Sequence, residues 1–261
     1  MKLRIALILP LLALAFTQAT PHTVVRGVAL LDWGHMEDLA ALGAPNFYGW
    51  GEYCGTRPNC TNMNRNWTLP QAHCYPVLLL GNEPTNAEPA GHPISASVAA
   101  SVTVAIETAC PGIQLVVANI HINNTNGQQA ALDWLTAYYA AYAARAGHAL
   151  TETVGLHCYT RYAGECESRL AAAMALPGFA GHFWITETQV VEYGPTYQAT
   201  WRNLLNWYSS QPRIDRVYAW TNRQSPWLDM VNADGTLNAD GQIYHDWTAQ
   251  SWSAFAPMVT H

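Results

Sequence analysis

The stretch YPVLLLGNEPT, Tyr75 to Thr85, carries an apolar run straight into Asn82-Glu83-Pro84. Glutamate is a poor strand former and proline cannot donate to a ladder, so the run reads as a buried strand ending in a carboxylate. HFWITET (182–188) repeats the arrangement, with Glu187 directly after a second apolar run. Working outward from these two, further short apolar runs appear at TVVRGVALL (23–31), FYGWGEY (47–53), IQLVVANI (113–120), TVGLHCY (153–159) and IDRVYAWTN (214–222), with CTNMNRN (60–66) a weaker one. Helical patterns separate the later ones: 94–109, 127–147, 165–176 and 196–211, with Gly147 a stop signal for the second. Continuous apolar strands joined by helices of about ten residues or more indicate parallel pairing with helical crossovers. Eight such strands in a chain of 261 residues predict an α/β fold, a single (β/α)8 TIM barrel, whose usual size is about 250 residues. The first quarter is poor in helical pattern. No repeat, low-complexity tract or linker divides the chain.

Hydrophobic residues make up 50% of the sequence and charged residues only 11%, which fits a large core. The 11 Trp and 13 Tyr fill such a core, and some of them suit flat stacking platforms for sugars. Residues 1–19 have a basic start at Lys2 and Arg4, an apolar run from Ile5 to Phe16 and small residues near Ala19. This is the pattern of a secretory signal peptide, too short for a comfortable span, and it predicts a secreted (extracellular or periplasmic) catalytic domain over 20–261. Without Lys2 and Arg4 the formal charge moves from −6 to −8. An acidic chain argues against nucleic acid, and no later segment is apolar enough to hold a membrane.

Six cysteines in an exported chain read as disulfides, and none forms a CxxC pair. Proximity favours Cys54–Cys60 and Cys158–Cys166, leaving Cys74–Cys110. The last pair joins the start of the fourth strand to the turn after its helix, both at the bottom of a barrel. Sequons begin at Asn59, Asn66 and Asn123.

Barrel chemistry collects at the C-terminal ends of the strands. There the sequence places Asn82 and Glu83 (fourth strand), His157 and Tyr159 (sixth), Thr186 and Glu187 (seventh) and Trp220, then Asn222 (eighth). Glu83 and Glu187 lie 104 positions apart, so no helix face pairs them; only the closure of a barrel does. Two carboxylates at one mouth supply the acid/base and the nucleophile that glycosidic cleavage needs. Asn82 suits a sugar hydroxyl, Trp220 a pyranose face, and Tyr48, Trp50 and Trp227 the walls of an aromatic groove. The apolar run and Pro84 behind Glu83 predict a partly desolvated carboxyl with a raised pKa. His157 and Tyr159 are expected to hydrogen-bond Glu187 and keep it ionised.

LLLGNEPT resembles the acid/base motif, and FWITET the nucleophile motif, of the clan A retaining glycoside hydrolases. RGVAL, NFYGWG, VGLHCYT and the short length are most similar to the glycosyl hydrolase catalytic-core group that includes family 128 β-1,3-glucanases. VNADGTLNADGQIYHDW (231–247) resembles the closing segment of such barrels. The resemblance implies a monomer that cleaves a β-linked polysaccharide or oligosaccharide, β-1,3-glucan foremost, by a two-glutamate double displacement without cofactor or metal. Glu83 would be the acid/base and Glu187 the nucleophile. The alternatives are a carbohydrate-binding barrel without turnover and a clan A enzyme for another β-linked polysaccharide. A serine or zinc hydrolase is disfavoured, because neither G-x-S-x-G nor H-E-x-x-H occurs.

Overall fold

Eight parallel strands close on themselves in the order of the chain, each bonded to its sequence neighbours, and the last to the first. The computed structural model describes residues 23–30, 35–49, 54, 57–68, 74–87, 91–122, 127–192, 194–221 and 229–253, without the side chains of 221 and 248–253. The signal-peptide reading of 1–19, and Trp50, Asn222 and Trp227, lie outside the described residues. The strands are β1 (Val25–Leu30), β2 (Asn46–Gly49), β3 (Cys60–Asn64), β4 (Val77–Leu80), β5 (Gln114–His121), β6 (Thr153–Thr160), β7 (Phe183–Val190) and β8 (Ile214–Thr221). The helices are α1 (Glu37–Ala41), α2 (Ala96–Ala109), α3 (Gly127–Ala146), α4 (Glu165–Met174), α5 (Pro195–Ser210) and α6 (Ala239–Ser253). The predicted (β/α)8 barrel is therefore the fold, and the weak third strand is present.

Two apolar layers explain why the strands read as continuous runs. Inside the barrel Ala29, Tyr48, Met63, Leu79, Val116, Trp184 and Tyr218 pack on one another, one from each of seven strands. Outside, alternate residues such as Val28, Leu80, Val117, Leu156 and Ile185 meet the helices. Every strand thus buries both faces, which is the rule for parallel sheets. Helix-to-helix packing supplies part of the shell: Thr103 of α2 bonds Tyr138 of α3 at 2.8 Å, and Trp134 stacks on Tyr138. The Tyr244 hydroxyl of α6 donates to Gly27 O at 2.6 Å and ties the end of the chain to β1.

The first quarter is thin in helix, as its sequence predicts. Only the five-residue α1 joins β1 to β2, and among the described residues no helix follows β2 or β3. Disulfides stand in part for the missing shell. Cys54–Cys60 closes the β2–β3 connection, and Cys74–Cys110 ties the entry of β4 to the end of α2, with Cα separations of 5.7 and 5.3 Å. Cys158–Cys166 joins β6 to α4 at 5.8 Å. All three predicted pairs form. A cross-link stabilises chiefly by restricting the unfolded chain, more so for longer loops, so the pair spanning 36 residues contributes most by this argument.

Candidate active site

The C-terminal mouth of the barrel holds both glutamates. Glu83 and Glu187, with His157 between them, each offer one atom to a cluster whose atoms all lie within 4.8 Å of one another. His157 Nδ1 stands 3.2 Å from Glu83 Oε1 and 3.3 Å from Glu187 Oε2. Tyr159 donates to Glu187 Oε2 at 2.8 Å, as expected. Among the described residues this is the one group of His, Cys, Asp and Glu side chains close enough to take up a metal ion.

Local backbone irregularities aim these side chains. A register shift between β6 and β7 skips Thr186 and sets His157 directly against Glu187. A second shift, in β5, spans Ala118 and Asn119, both at positive φ (73° and 43°). The buried Asn119 amide there donates to Leu80 O, Gly81 O and Val116 O at 3.1–3.2 Å, and Asn119 O accepts from Glu83 N at 2.9 Å. Glu83 itself sits at φ 45°, a strained setting for a residue with a Cβ. So the bulge in β5, together with Pro84, fixes the carboxylate at the tip of β4. Gly155 admits the bulge, because a Cβ at that position would overlap Asn119 Oδ1. Bulges beside a catalytic site commonly re-aim a side chain in this way.

The glycosyl hydrolase catalytic core model matches residues 48–244, most of the chain and all of this cluster. The chain belongs to the glycosyl hydrolase catalytic core family. It is a glycoside hydrolase. Among solved structures it resembles a GH128 subgroup II endo-β-1,3-glucanase from Pseudomonas viridiflava, with 22% identity, a TM-score of 0.68, and 86% of this chain and 98% of that one covered. A GH128 subgroup I endo-β-1,3-glucanase from Amycolatopsis mediterranei, in complex with laminaritriose, gives 18% identity and a TM-score of 0.67 over 86% of this chain and 100% of that one. A GH128 subgroup VII oligosaccharide-binding protein from Cryptococcus neoformans gives 16% and 0.63 over 88% and 96%. Compared by sequence with curated proteins, the chain finds no match.

Three residues of this candidate site were not singled out by their sequence. His121, at the end of β5, places Nδ1 3.5 Å from Glu83 Oε1 and packs edge-on against Tyr159. Asn86 donates to Glu83 Oε2 at 2.6 Å. Asn119 works through the backbone as described. His121 is separated from the predicted end of its strand by one residue, and a strand read one residue longer would have included it.

The aromatic residues divide. Tyr48 is wholly buried in the inner layer, where its hydroxyl donates to Thr186 O at 2.7 Å and approaches Glu187 Oε1 at 3.2 Å. It is thus a support beneath Glu187 and not an open groove wall, because β2 turns its side chain inward at the level of the carboxylate. Trp220 is half-buried, its ring 6.1 Å from that of Tyr159. Asn82 is buried beside Glu83, and its carbonyl accepts from His92 N at 2.9 Å.

The expected ionisation order is reversed. Burial favours a raised pKa for Glu83, but the hydrogen bond and charge of His157, the charge of His121 and the Asn86 bond outweigh it and hold Glu83 below the usual carboxylate range. Burial pushes Glu187 up to about 7; the Glu83 charge adds to this, while His157, Tyr159 and Tyr48 oppose it. Burial works to lower His157, yet the Glu187 charge and the bond and charge of Glu83 leave it raised. The sequence reading failed here because the apolar run lies behind the Glu83 backbone, while its carboxylate faces two imidazoles.

A stability prediction follows from Glu187. Its folded pKa, about 7, lies above the 4.5 of an ordinary glutamate, so the folded chain holds more protons between those two pH values. The associated stability is fully present below about pH 4.5 and is lost as pH rises through 7. Glu187→Gln should therefore raise Tm by several degrees at pH 8 and change it little at pH 4.5. The new amide keeps a partner, because the Tyr159 hydroxyl, which donates to Glu187 Oε2, can donate to the amide oxygen in the same way. Thermal melts of both proteins across that range check it; equal Tm differences at both ends would refute it.

Proposed function

We propose that the chain is a secreted, monomeric retaining hydrolase of β-linked glucan, with β-1,3-glucan its foremost substrate. The observation that carries the reading is the pair Glu83 and Glu187, set at one barrel mouth within a cluster 4.8 Å across. Retaining enzymes need carboxyl groups about 5–5.5 Å apart, and inverting ones need a wider gap for water. Glu83 protonates the leaving glycosidic oxygen while Glu187 attacks the anomeric carbon. Glu83 then takes a proton from water, which releases the sugar with its configuration kept. Every group in this sequence comes from the chain, so no cofactor enters.

The protonation pattern runs opposite to these roles residue by residue, and is compatible with them when the two carboxyls are treated as one coupled unit. In the ligand-free site a shared proton rests on Glu187, whose burial favours the neutral form. Productive binding needs the same proton on Glu83, a change of tautomer rather than of charge. Tyr48 and Tyr159 then donate to the Glu187 anion, and His157 touches both sites of the proton. The choice of β-1,3-glucan is supported by the relatives from Pseudomonas and Amycolatopsis. Export is supported by residues 1–19 and three disulfides, which persist in oxidising compartments; no described helix is long and apolar enough to cross a membrane.

The oligosaccharide-binding relative from Cryptococcus favours a second reading, sugar binding without turnover. One experiment separates the two. The protein is incubated with β-1,3-, β-1,4- and mixed-linkage glucans, and the first-formed anomer is followed by NMR. The expected result is cleavage of β-1,3-glucan with β-anomer appearing first. An α-anomer would mean inversion, and binding without any cleavage would establish the second reading.

A further inference from the structure

We propose that Tyr162 is a sugar-stacking platform on the rim of the barrel, forming a subsite for a glucosyl ring remote from the scissile bond. The inference rests on the β-glucan reading above and extends it to a residue outside the cluster.

Among the described residues most large aromatic side chains are buried in the core. Tyr162 is the exception: it is 69% exposed, and Val98, on the outer face of α2, is the other exposed large hydrophobic among the described residues. Its place gives the exposure meaning. It follows the end of β6 by two residues and Tyr159, which donates to Glu187, by three. Three residues span at most about 11 Å, so the backbone of Tyr162 stands on the same rim as Tyr159.

The loop that carries it is anchored at several points. Thr160 Oγ1 accepts from Tyr162 N at 3.0 Å, lies 3.0 Å from Tyr162 O and donates to Glu165 Oε2 at 2.6 Å. Glu165 N donates to Tyr162 O at 3.3 Å. The Cys158–Cys166 disulfide closes the loop at its base. Arg161 pairs with Glu192 across the gap to the β7 loop at 3.1 Å, and Tyr197 also bonds Glu192. A lone exposed tyrosine needs no explanation on a loose loop. Here the backbone is already ordered, so a ligand stacking on the ring pays little entropy, the condition for a preformed binding element.

The neighbouring groups suit a sugar. A pyranose ring offers an apolar C–H face and a rim of hydroxyls. Tyr162 offers a flat apolar face, and the half-exposed Arg161–Glu192 pair offers charged donors and acceptors to those hydroxyls. The ligand class is therefore a β-linked glucan long enough to reach from the carboxylates to this loop.

The test is the affinity of β-1,3-gluco-oligosaccharides of three and six units, measured by titration calorimetry on the full chain carrying Glu83→Gln, with and without Tyr162→Ala. Tyr162→Ala should weaken the hexasaccharide about tenfold and the trisaccharide less than twofold, with Tm unchanged. Tyr162→Phe should restore hexasaccharide affinity, since the ring face and not the hydroxyl does the binding. Unchanged hexasaccharide affinity, or equal loss for both lengths, would overturn the subsite while leaving the glucan reading standing. Failure of the Glu83→Gln parent to bind either sugar would instead sink the glucan reading, and this subsite with it.

Discussion

Glu187→Ala is expected to remove the first chemical step for every substrate, with a loss on the order of 10⁴-fold or more in kcat. In the proposed double displacement this residue supplies the electron pair that captures the anomeric carbon, and no other described carboxylate stands within the cluster except Glu83. Glu83→Ala should behave differently. It removes the proton donor, which matters when the leaving group is a sugar alkoxide and little when it is an activated phenol. Loss on glucan should be about 10²–10⁴-fold, with the first step on an aryl β-glucoside largely spared. The glycosyl-enzyme then accumulates, because water lacks its base. Azide, a small anion that needs no general base, should release it as the β-glycosyl azide. With Glu187→Ala, azide would attack the substrate directly and give the α-product. NMR of the azide products decides between the roles. An α-azide from Glu83→Ala and a β-azide from Glu187→Ala would exchange the two assignments. Unchanged activity in both variants would remove the cluster from the chemistry.

These two residues were legible in the sequence for a simple reason. Each ends a buried apolar run, and in a barrel the end of a strand is a defined place. The same logic reached His157, Tyr159 and Trp220. The later crossovers were equally readable, because α2 to α5 are each ten residues or longer between strands that bury both faces. What the sequence did not reveal depends on departures from regular geometry. Nothing in the run VVANIH announces that Ala118 and Asn119 leave the ladder at positive φ, or that the Asn119 amide then holds three carbonyls of β4 and β5. Asn86 sits in a turn closed by its own N–H on Glu83 O, a contact that the string NEPTN does not announce. The five-residue α1 is too short to show a period. The ionisation order was misread because it depends on which way a carboxylate faces, and on His121, which meets Glu83 only through the pairing of β4 with β5. A local string conveys burial well; it does not convey which charges a barrel brings across its mouth.

His157→Asn should move the whole pH profile of kcat/KM to higher pH by about one unit or more, along with a large loss of rate. The imidazole is fully buried and faces Glu83 from the tip of β4 and Glu187 from β7; Tyr159 of β6 and Tyr48 of β2 bond Glu187, and His121 of β5 lies beside Glu83. Against the effect of burial, the charges of Glu187 and Glu83 raise its pKa, and its own charge lowers both carboxylates. The two limbs of the kcat/KM profile report the two macroscopic pKa values of the coupled carboxyl pair. Removing the cation raises both carboxyl pKa values, so both limbs must move in the same direction, toward alkali. His121→Asn provides the contrast. Its charge also lowers Glu83, but stands behind that of His157 in effect, so the profile should move in the same direction and by less. A packing defect would lower the rate at every pH without displacing the limbs. Profiles of the three proteins on one glucan, with melts to show that each is folded, therefore separate charge from structure. If His157→Asn lowered activity but left the bell in place, or moved it toward acid, the imidazole would not be the cation that sets the ionisation of the two glutamates.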